Sequence, residues 1–199
     1  MTSLVAHVGG VAVFDDLLPG KLLAHVRAAA ESQDYAAREH KGIAYEGVGT
    51  EIPYDPWPVL SRALGRQVRP VIYEGRPLTF FRRSRHGEDS TTWIHPDTGV
   101  DGEFAGVLYL SEPGGPGYGT AFWSHQEHGA QLDPAELTPE LAAQLDRDGQ
   151  DDERWQLVGF VAQRVNRFVT YPVSLFHSRM PQRVPADHRD RLIQAFFFD

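Results

Sequence analysis

The chain has 199 residues, 41% of them hydrophobic and 23% charged, which suits one globular domain with a sizeable core. Nineteen Lys and Arg against 27 Asp and Glu give a formal charge of −8, so there is no basic footprint for a phosphate backbone and no nucleic-acid partner is expected. No apolar run reaches the ~20 residues that span a bilayer, the amino terminus lacks a secretory pattern, and the absence of cysteine removes disulfides and thiolate chemistry. A cytoplasmic protein is expected, with no membrane partner.

In chain order, Val11 to Phe14 reads as a short strand. Lys21 to Ser32 reads as a helix, with Pro19 ahead of it and Leu22, Leu23, Val26 and Ala30 at helical spacing. Residues Gln33 to Trp57 are mixed and read as a surface loop, and a short helix is expected near Pro58 to Leu64. From Val71 the texture turns to short strands rich in β-branched and aromatic residues. These are Val71–Tyr73, Leu78–Phe81, Thr91–Ile94, Ala105–Leu110, Thr120–Trp123, Phe168–Tyr171, Val173–Phe176 and Leu192–Phe198. Pro113-Gly-Gly-Pro-Gly-Tyr-Gly119 is a turn that could not sit inside a strand. Leu137, Leu141, Ala142 and Leu145 predict a helical insertion over Pro134 to Arg147, and a second helical piece is expected around Glu153 to Val161. Helices first and many short strands afterwards predict a mostly β sandwich or barrel with helices packed outside. Regular strand–helix alternation is missing, which disfavours a doubly wound sheet.

Three polar positions stand out against this background. His95 and Asp97 follow the Thr91–Ile94 strand at a spacing of two, so both can point at one ion. Pro96 between them lacks an amide hydrogen, which fits a strand end. His177 lies far downstream, after another apolar strand. Two imidazoles and one carboxylate form the set that holds non-haem Fe(II) with open positions for oxygen chemistry. Arg191 opens the Leu192–Phe198 strand, and its planar fork is shaped to grip a carboxylate at two points. An isolated His-x-Asp is ordinarily a surface pair, and Arg191 has Asp187, Asp190 and Asp199 as alternative partners; the combination in order is what favours a metal site. His125-Gln-Glu-His128 lacks the spacing of a zinc helix, and no Gly-x-Ser-x-Gly elbow is present.

Four ordered segments resemble the 2-oxoglutarate/Fe(II)-dependent oxygenases, within them the prolyl-hydroxylase-like branch. His95-Pro-Asp97 through Tyr109-Leu-Ser-Glu-Pro113 looks like the branch's first motif, and Gly119-Thr-Ala-Phe-Trp123 is similar to its next strand. Leu175-Phe-His177-Ser and Arg191 to Asp199 resemble its closing pair. The resemblance implies a double-stranded β-helix (a cupin-like jelly roll) and one domain over 1–199. Its N-terminal part to about residue 70 would be helical, and the core from about 71 would carry the insertion at about 134–161. It implies His95, Asp97 and His177 as iron ligands, with Arg191 and Tyr109 on the distal carboxylate of 2-oxoglutarate. Fe(II), 2-oxoglutarate and O2 would be used to hydroxylate a C–H bond of an amino acid, peptide or natural product, with release of succinate and CO2. Desaturation and cyclisation are other outcomes of such a centre, whereas Asp97 argues against halogenation.

Two features depart from the pattern. The gap from His177 to Arg191 is long, which makes Arg189 a competitor for the carboxylate. Phe80-Phe81-Arg82-Arg83-Ser84-Arg85 replaces the tyrosine that many relatives place ahead of the first ligand. Substrate selection is expected from Gln33 to Trp57, Arg82 to Ser90 and His125 to Asp152, with Arg83, Arg85 and His125 as candidate substrate contacts. The alternatives to an oxygenase are a cupin-type metal enzyme that does not use 2-oxoglutarate and a non-catalytic jelly-roll binding protein.

Overall fold

Alternation along strand β13 (Arg191–Phe198) sorts its side chains between two cores and sets the layering of the molecule. Leu192, Phe196 and Phe198 enter one core, while Ile193, Ala195 and Phe197 enter the other. The computed structural model describes residues 2–40, 43–85, 94–182, 185 and 187–199. Ahead of β13 the elements run β1 (Ser3–Val8), β2 (Val11–Asp15), α1 (Gly20–Ser32), β3 (Ala36–His40), β4 (Ile43–Gly49) and α2 (Trp57–Leu64). There follow β5 (Ile72–Tyr73), β6 (Arg76–Pro77), β7 (Thr79–Ser84), β8 (Phe104–Tyr109), β9 (Gly119–His125) and α3 (Pro139–Asp148). The last three before β13 are β10 (Trp155–Ala162), β11 (Phe168–Pro172) and β12 (His177–Met180).

Two antiparallel sheets result, one of eight strands in the order β1-β2-β11-β8-β13-β7-β4-β3 and one of three in the order β10-β9-β12. They face each other as a jelly roll around the core that contains Val107, Tyr109, Phe122, Val169, Tyr171 and Phe197. The outer face of the large sheet is covered by α1 and α2, where Val26, Ala30 and Leu60 pack on Phe81, Leu108, Phe168 and Phe196. Gly65, at a φ of 66°, ends α2 in the left-handed region that glycine adopts freely. α3, capped by the Thr138 hydroxyl on the Leu141 amide, closes a small third core with Leu145, Trp155 and Phe176.

Four expectations need correction. The Gln33–Trp57 stretch holds the β3–β4 hairpin as well as loop. This hairpin lies at the margin of the large sheet, where backbone pairing suffices and no apolar alternation is required. Val173 and Ser174 form a turn closed by the Leu175 amide on the Pro172 carbonyl (3.0 Å), so His177 begins a strand instead of ending one. Around Glu153 to Val161 a short 3₁₀ turn (Asp152–Arg154) leads into β10, not into a helix. A bulge between Leu157 and Gly159 breaks the two-residue period and leaves Leu157, Phe160 and Val161 at spacings that imitate a helix. The pattern does not predict β1, and with β2, β3 and β4 it makes the part up to about residue 70 a mixture of strand and helix, not the helical segment expected. Of the expected Thr91–Ile94 strand, residues 91–93 lie outside the described residues.

Phe196 is fully buried between Trp57 and Phe168, with ring centroids 6.2 and 5.7 Å away, both edge-on. Phe196→Ala should cost about 3–5 kcal/mol, read as a lower denaturation midpoint with little change in slope.

Candidate metal centre

Two backbone hydrogen bonds join the distant histidines. The His95 amide donates to the His177 carbonyl at 3.1 Å and the His177 amide donates back at 3.0 Å. Directly opposed antiparallel residues put their side chains on one face, and the two rings lie 4.7 Å apart. Two residues on, the Asp97 amide donates to the Val173 carbonyl at 2.7 Å, which pins the other end of the segment. Asp97 Oδ1 then lies 3.7 Å from His95 Nε2, and Oδ2 lies 3.4 Å from His177 Nε2. One ligand atom from each residue falls within 4.8 Å of the others, a grouping able to hold a metal ion.

The donor chemistry suits that role. His177 Nδ1 lies 2.9 Å from the Leu175 carbonyl, which can only accept, so Nδ1 donates there and Nε2 is the nitrogen turned toward Asp97 for an ion. The Tyr171 ring, 4.6 Å from the His177 ring, fixes the imidazole from the side. Burial pushes the Tyr171 hydroxyl well above its ordinary pKa, and the nearby Asp97 charge adds to this. Ligands bound at about 2.0–2.2 Å to a first-row ion sit roughly 3 Å apart when adjacent. The observed separations of 3.4 and 3.7 Å are only slightly wider.

Alternation on β13 turns Arg191 to the same face as Ile193, Ala195 and Phe197, into the space between the sheets. It is 5% exposed. Its Nε donates to Gln163 Oε1 at 3.1 Å and its Nη2 to the Gly119 carbonyl at 3.2 Å, while the guanidinium lies 5.5 Å from the centre of the Tyr109 ring. Burial lowers its pKa from the ordinary arginine value, opposed by Tyr109. Among the described residues no carboxylate forms an ion pair with Arg191. Removing one partner from a buried pair of charges is strongly unfavourable, so this cation is poised for an anionic ligand. Tyr109 is fully buried beside it, and its hydroxyl lies 2.7 Å from Thr120 Oγ1. Desolvation raises the Tyr109 pKa, opposed by Arg191. Arg189 is exposed in the segment before β13.

His95, Asp97, His177, Thr120 and Arg191 line the inner end of one cavity of about 1320 Å³, whereas Tyr109, Gln163 and Arg189 lie outside its lining. Its outer part sets Tyr54, Trp57, Ile72, Tyr73 and Phe80 beside the charged Asp55, Glu74 and Arg76. Val48 to Trp57 contributes to the mouth as expected, but the substrate candidates lie elsewhere. On β7, Phe80 and Arg82 face the cavity, so Arg83 faces the opposite way. There it lies 4.9 Å from the Tyr35 ring centre and donates to the Glu31 carbonyl at 3.2 Å. Arg85, just past β7, is exposed and outside the cavity lining. His125 is buried, and its Nδ1 accepts the Glu127 amide while Nε2 meets Asp148 Oδ2 at 3.3 Å. It braces the α3 insertion.

Sequence reasoning missed Thr120, Tyr171 and Arg179. Arg179 lines the cavity because it stands two positions after His177 on β12, the same signal that pairs His95 with Asp97. The β5–β6 hairpin, which supplies Ile72 and Tyr73, agrees with the expected strand at Val71–Tyr73, but its place in the cavity lining has no sequence signal.

Residues 3–191 match the sequence model of DUF6445, a family of unknown function. The chain belongs to that family. No curated protein sequence matches this DUF6445 member, but solved structures share its fold. HygX from Streptomyces hygroscopicus, with nickel and 2-oxoglutarate bound, superposes with a TM-score of 0.56 at 16% identity, over 95% of this chain and 82% of that one. An oxidoreductase of the 2OG-Fe(II) oxygenase family from Burkholderia pseudomallei gives 0.56 at 11% identity, over 96% and 85%. The non-heme alpha ketoglutarate dependent epimerase SnoN from nogalamycin biosynthesis gives 0.57 at 11% identity, over 95% and 76%. At these identities the likeness is one of fold.

The donor set predicts one Mn(II) or Ni(II) per chain in an equilibrium titration. Asp97→Ala should weaken binding by more than about 100-fold, beyond the usual effect of losing an outer partner, with the circular dichroism spectrum unchanged.

Proposed function

We propose that this DUF6445 protein is an Fe(II)- and 2-oxoglutarate-dependent oxygenase that hydroxylates a C–H bond of a small molecule or peptide. Succinate and CO2 would be the co-products. The observation that carries the reading is one cavity holding both the His95, Asp97, His177 cluster and a buried guanidinium with no carboxylate partner among the described residues. A divalent ion, Asp97 and Arg191 together leave an excess of two positive charges, Arg179 in the same lining adds to it, and a dicarboxylate reduces it. HygX, which shares the fold, was solved with a metal and 2-oxoglutarate together. The order of the four sequence segments supports the prolyl-hydroxylase-like branch. The absence of cysteine is consistent with a cytoplasmic setting, and no helix among the described residues is long and apolar enough to cross a membrane.

In this reading His95, Asp97 and His177 hold three positions of Fe(II). The bound ion, with 2-oxoglutarate and O2, supplies the oxidising chemistry that side chains lack. Arg191 grips the distal carboxylate with the donors left free by Gln163 and Gly119. Tyr109 shapes that end by packing against the guanidinium and orienting the Thr120 hydroxyl toward the cavity. Tyr171 and Phe122 exclude water from the His177 side, their rings edge-on at 5.1 Å. A cavity of about 1320 Å³ exceeds the roughly 300–1,000 Å³ of ordinary ligand sites, so it has room for a second molecule beside the co-substrate. HygX was also solved with hygromycin B bound, next to nickel and 2-oxoglutarate. Here the aromatic mouth formed by Tyr54, Trp57 and Tyr73 would select the substrate.

Succinate release from 2-oxoglutarate, dependent on Fe(II) and O2, tests the proposal. His95→Ala, Asp97→Ala and His177→Ala should each abolish it. Arg191→Ala should raise the 2-oxoglutarate requirement by an amount equivalent to roughly 2–5 kcal/mol, and Arg189→Ala should change it little. Metal-dependent O2 consumption without any need for 2-oxoglutarate would instead identify a cupin-type enzyme. Ligand binding with no turnover would identify a binding protein.

A further inference from the structure

We infer that the free edge of β10 pairs with β10 of a second copy of this chain, so that the two small sheets join across a two-fold axis. β10 ends the three-stranded sheet, and its ladder is made with β9 alone. Among the described residues no strand pairs with its other side. Soluble proteins protect such edges with charges, prolines, β-bulges or a covering element, and of these β10 has one bulge at Val158. From Trp155 through Gln163 this strand has neither a charge nor a proline. Instead Leu157, Val158 and Phe160 are 50%, 54% and 42% exposed.

The flanks of β10 identify a second copy as the occupant. Exposed Asp151, Asp152, Glu153 and Arg154 precede the strand with a net negative charge, and Arg164 follows it. The Arg164 side chain remains 57% exposed although it touches Asp15 at 2.8 Å. Antiparallel pairing about an axis near Val158 and Gly159 brings the acidic end of each copy against Arg164 of the other, twice by symmetry. Leu157 lies opposite Trp123 and Phe160 opposite Ala121 in the β9 register, on one face of the sheet. Across the axis Leu157 of each copy therefore meets Phe160 of the other on that face. The bulge at Val158 falls at the axis, where an interruption disturbs the fewest pairs. Other strand edges with exposed apolar residues are β5, whose Ile72 and Tyr73 line the cavity, and β1, with Leu4 and Val5. Its flanking residues, Met1, Thr2, Gly9 and Gly10, carry no opposed side-chain charges.

Sedimentation velocity on the full chain across micromolar concentrations is the test. The wild type should sediment at twice its 22.3 kDa mass. Val158→Lys and Phe160→Lys should each give a 22.3 kDa species with unchanged circular dichroism and thermal midpoint, because both side chains are exposed. Glu153→Arg should weaken the dimer several-fold, and adding Arg164→Glu should restore it by exchanging the two charges. A monomeric wild type would overturn the inference, as would a dimer that survives both lysine substitutions. If Arg164→Glu fails to restore the Glu153→Arg variant, the antiparallel register about Val158 is wrong.

Discussion

The reciprocal hydrogen bonds between His95 and His177 are the constraint on which the rest of the site depends. They fix two segments far apart in sequence to the same height in the barrel and turn both imidazoles to one face. A slip of one residue would send one ring to the other face of the sheet. The turn at Val173 and Ser174 serves the same end, since it supplies the carbonyl that anchors the Asp97 amide. Three ligand atoms converge because the backbone of 95–97 and 173–177 is clamped at both ends, not because the side chains are long.

Across the cavity, β13 imposes a second constraint by simple alternation. Phe197, Ala195 and Ile193 commit one face of the strand to the interior, and Arg191 must follow them there. An arginine in that position is held by an amide oxygen, a backbone carbonyl and an aromatic face, none of which carries an opposite charge. Burying an ion unpaired costs several kcal/mol. In the proposed reading an anionic ligand relieves that cost, and the His95, Asp97 and His177 group across the same cavity favours a dicarboxylate. A dicarboxylate reaching from the ion to Arg191 would satisfy both ends.

Much of this was legible in the sequence because strand periodicity is strict. The spacing of His95 and Asp97, the Tyr109 strand and the apolar run after Arg191 all carry their facing in their numbering. The same rule, applied to β7, would have chosen Arg82 over Arg83 for the cavity, since Phe80 already marks the inner face. What could not be read lies where periodicity fails. The bulge in β10 gave its apolar residues helical spacing, and Val173–Phe176 is apolar because it fills a core beneath a turn. β3 and β4 form at a sheet margin through backbone pairing, which leaves little mark in composition. The His125 pairing with Asp148 depends on where α3 lands, a tertiary fact with no local signal.

The central claim is that the three ligands and Arg191 form one site for one dicarboxylate bridging from metal to guanidinium. Calorimetric titration of 2-oxoglutarate into the protein under anaerobic conditions, with and without a bound divalent ion, tests it most directly. The account predicts one 2-oxoglutarate per chain, tight binding only when the ion is present, and an effect of Arg191→Ala that shrinks once Asp97→Ala has removed the ion. Equal affinity with and without the ion, or fully additive losses in the double variant, would contradict it.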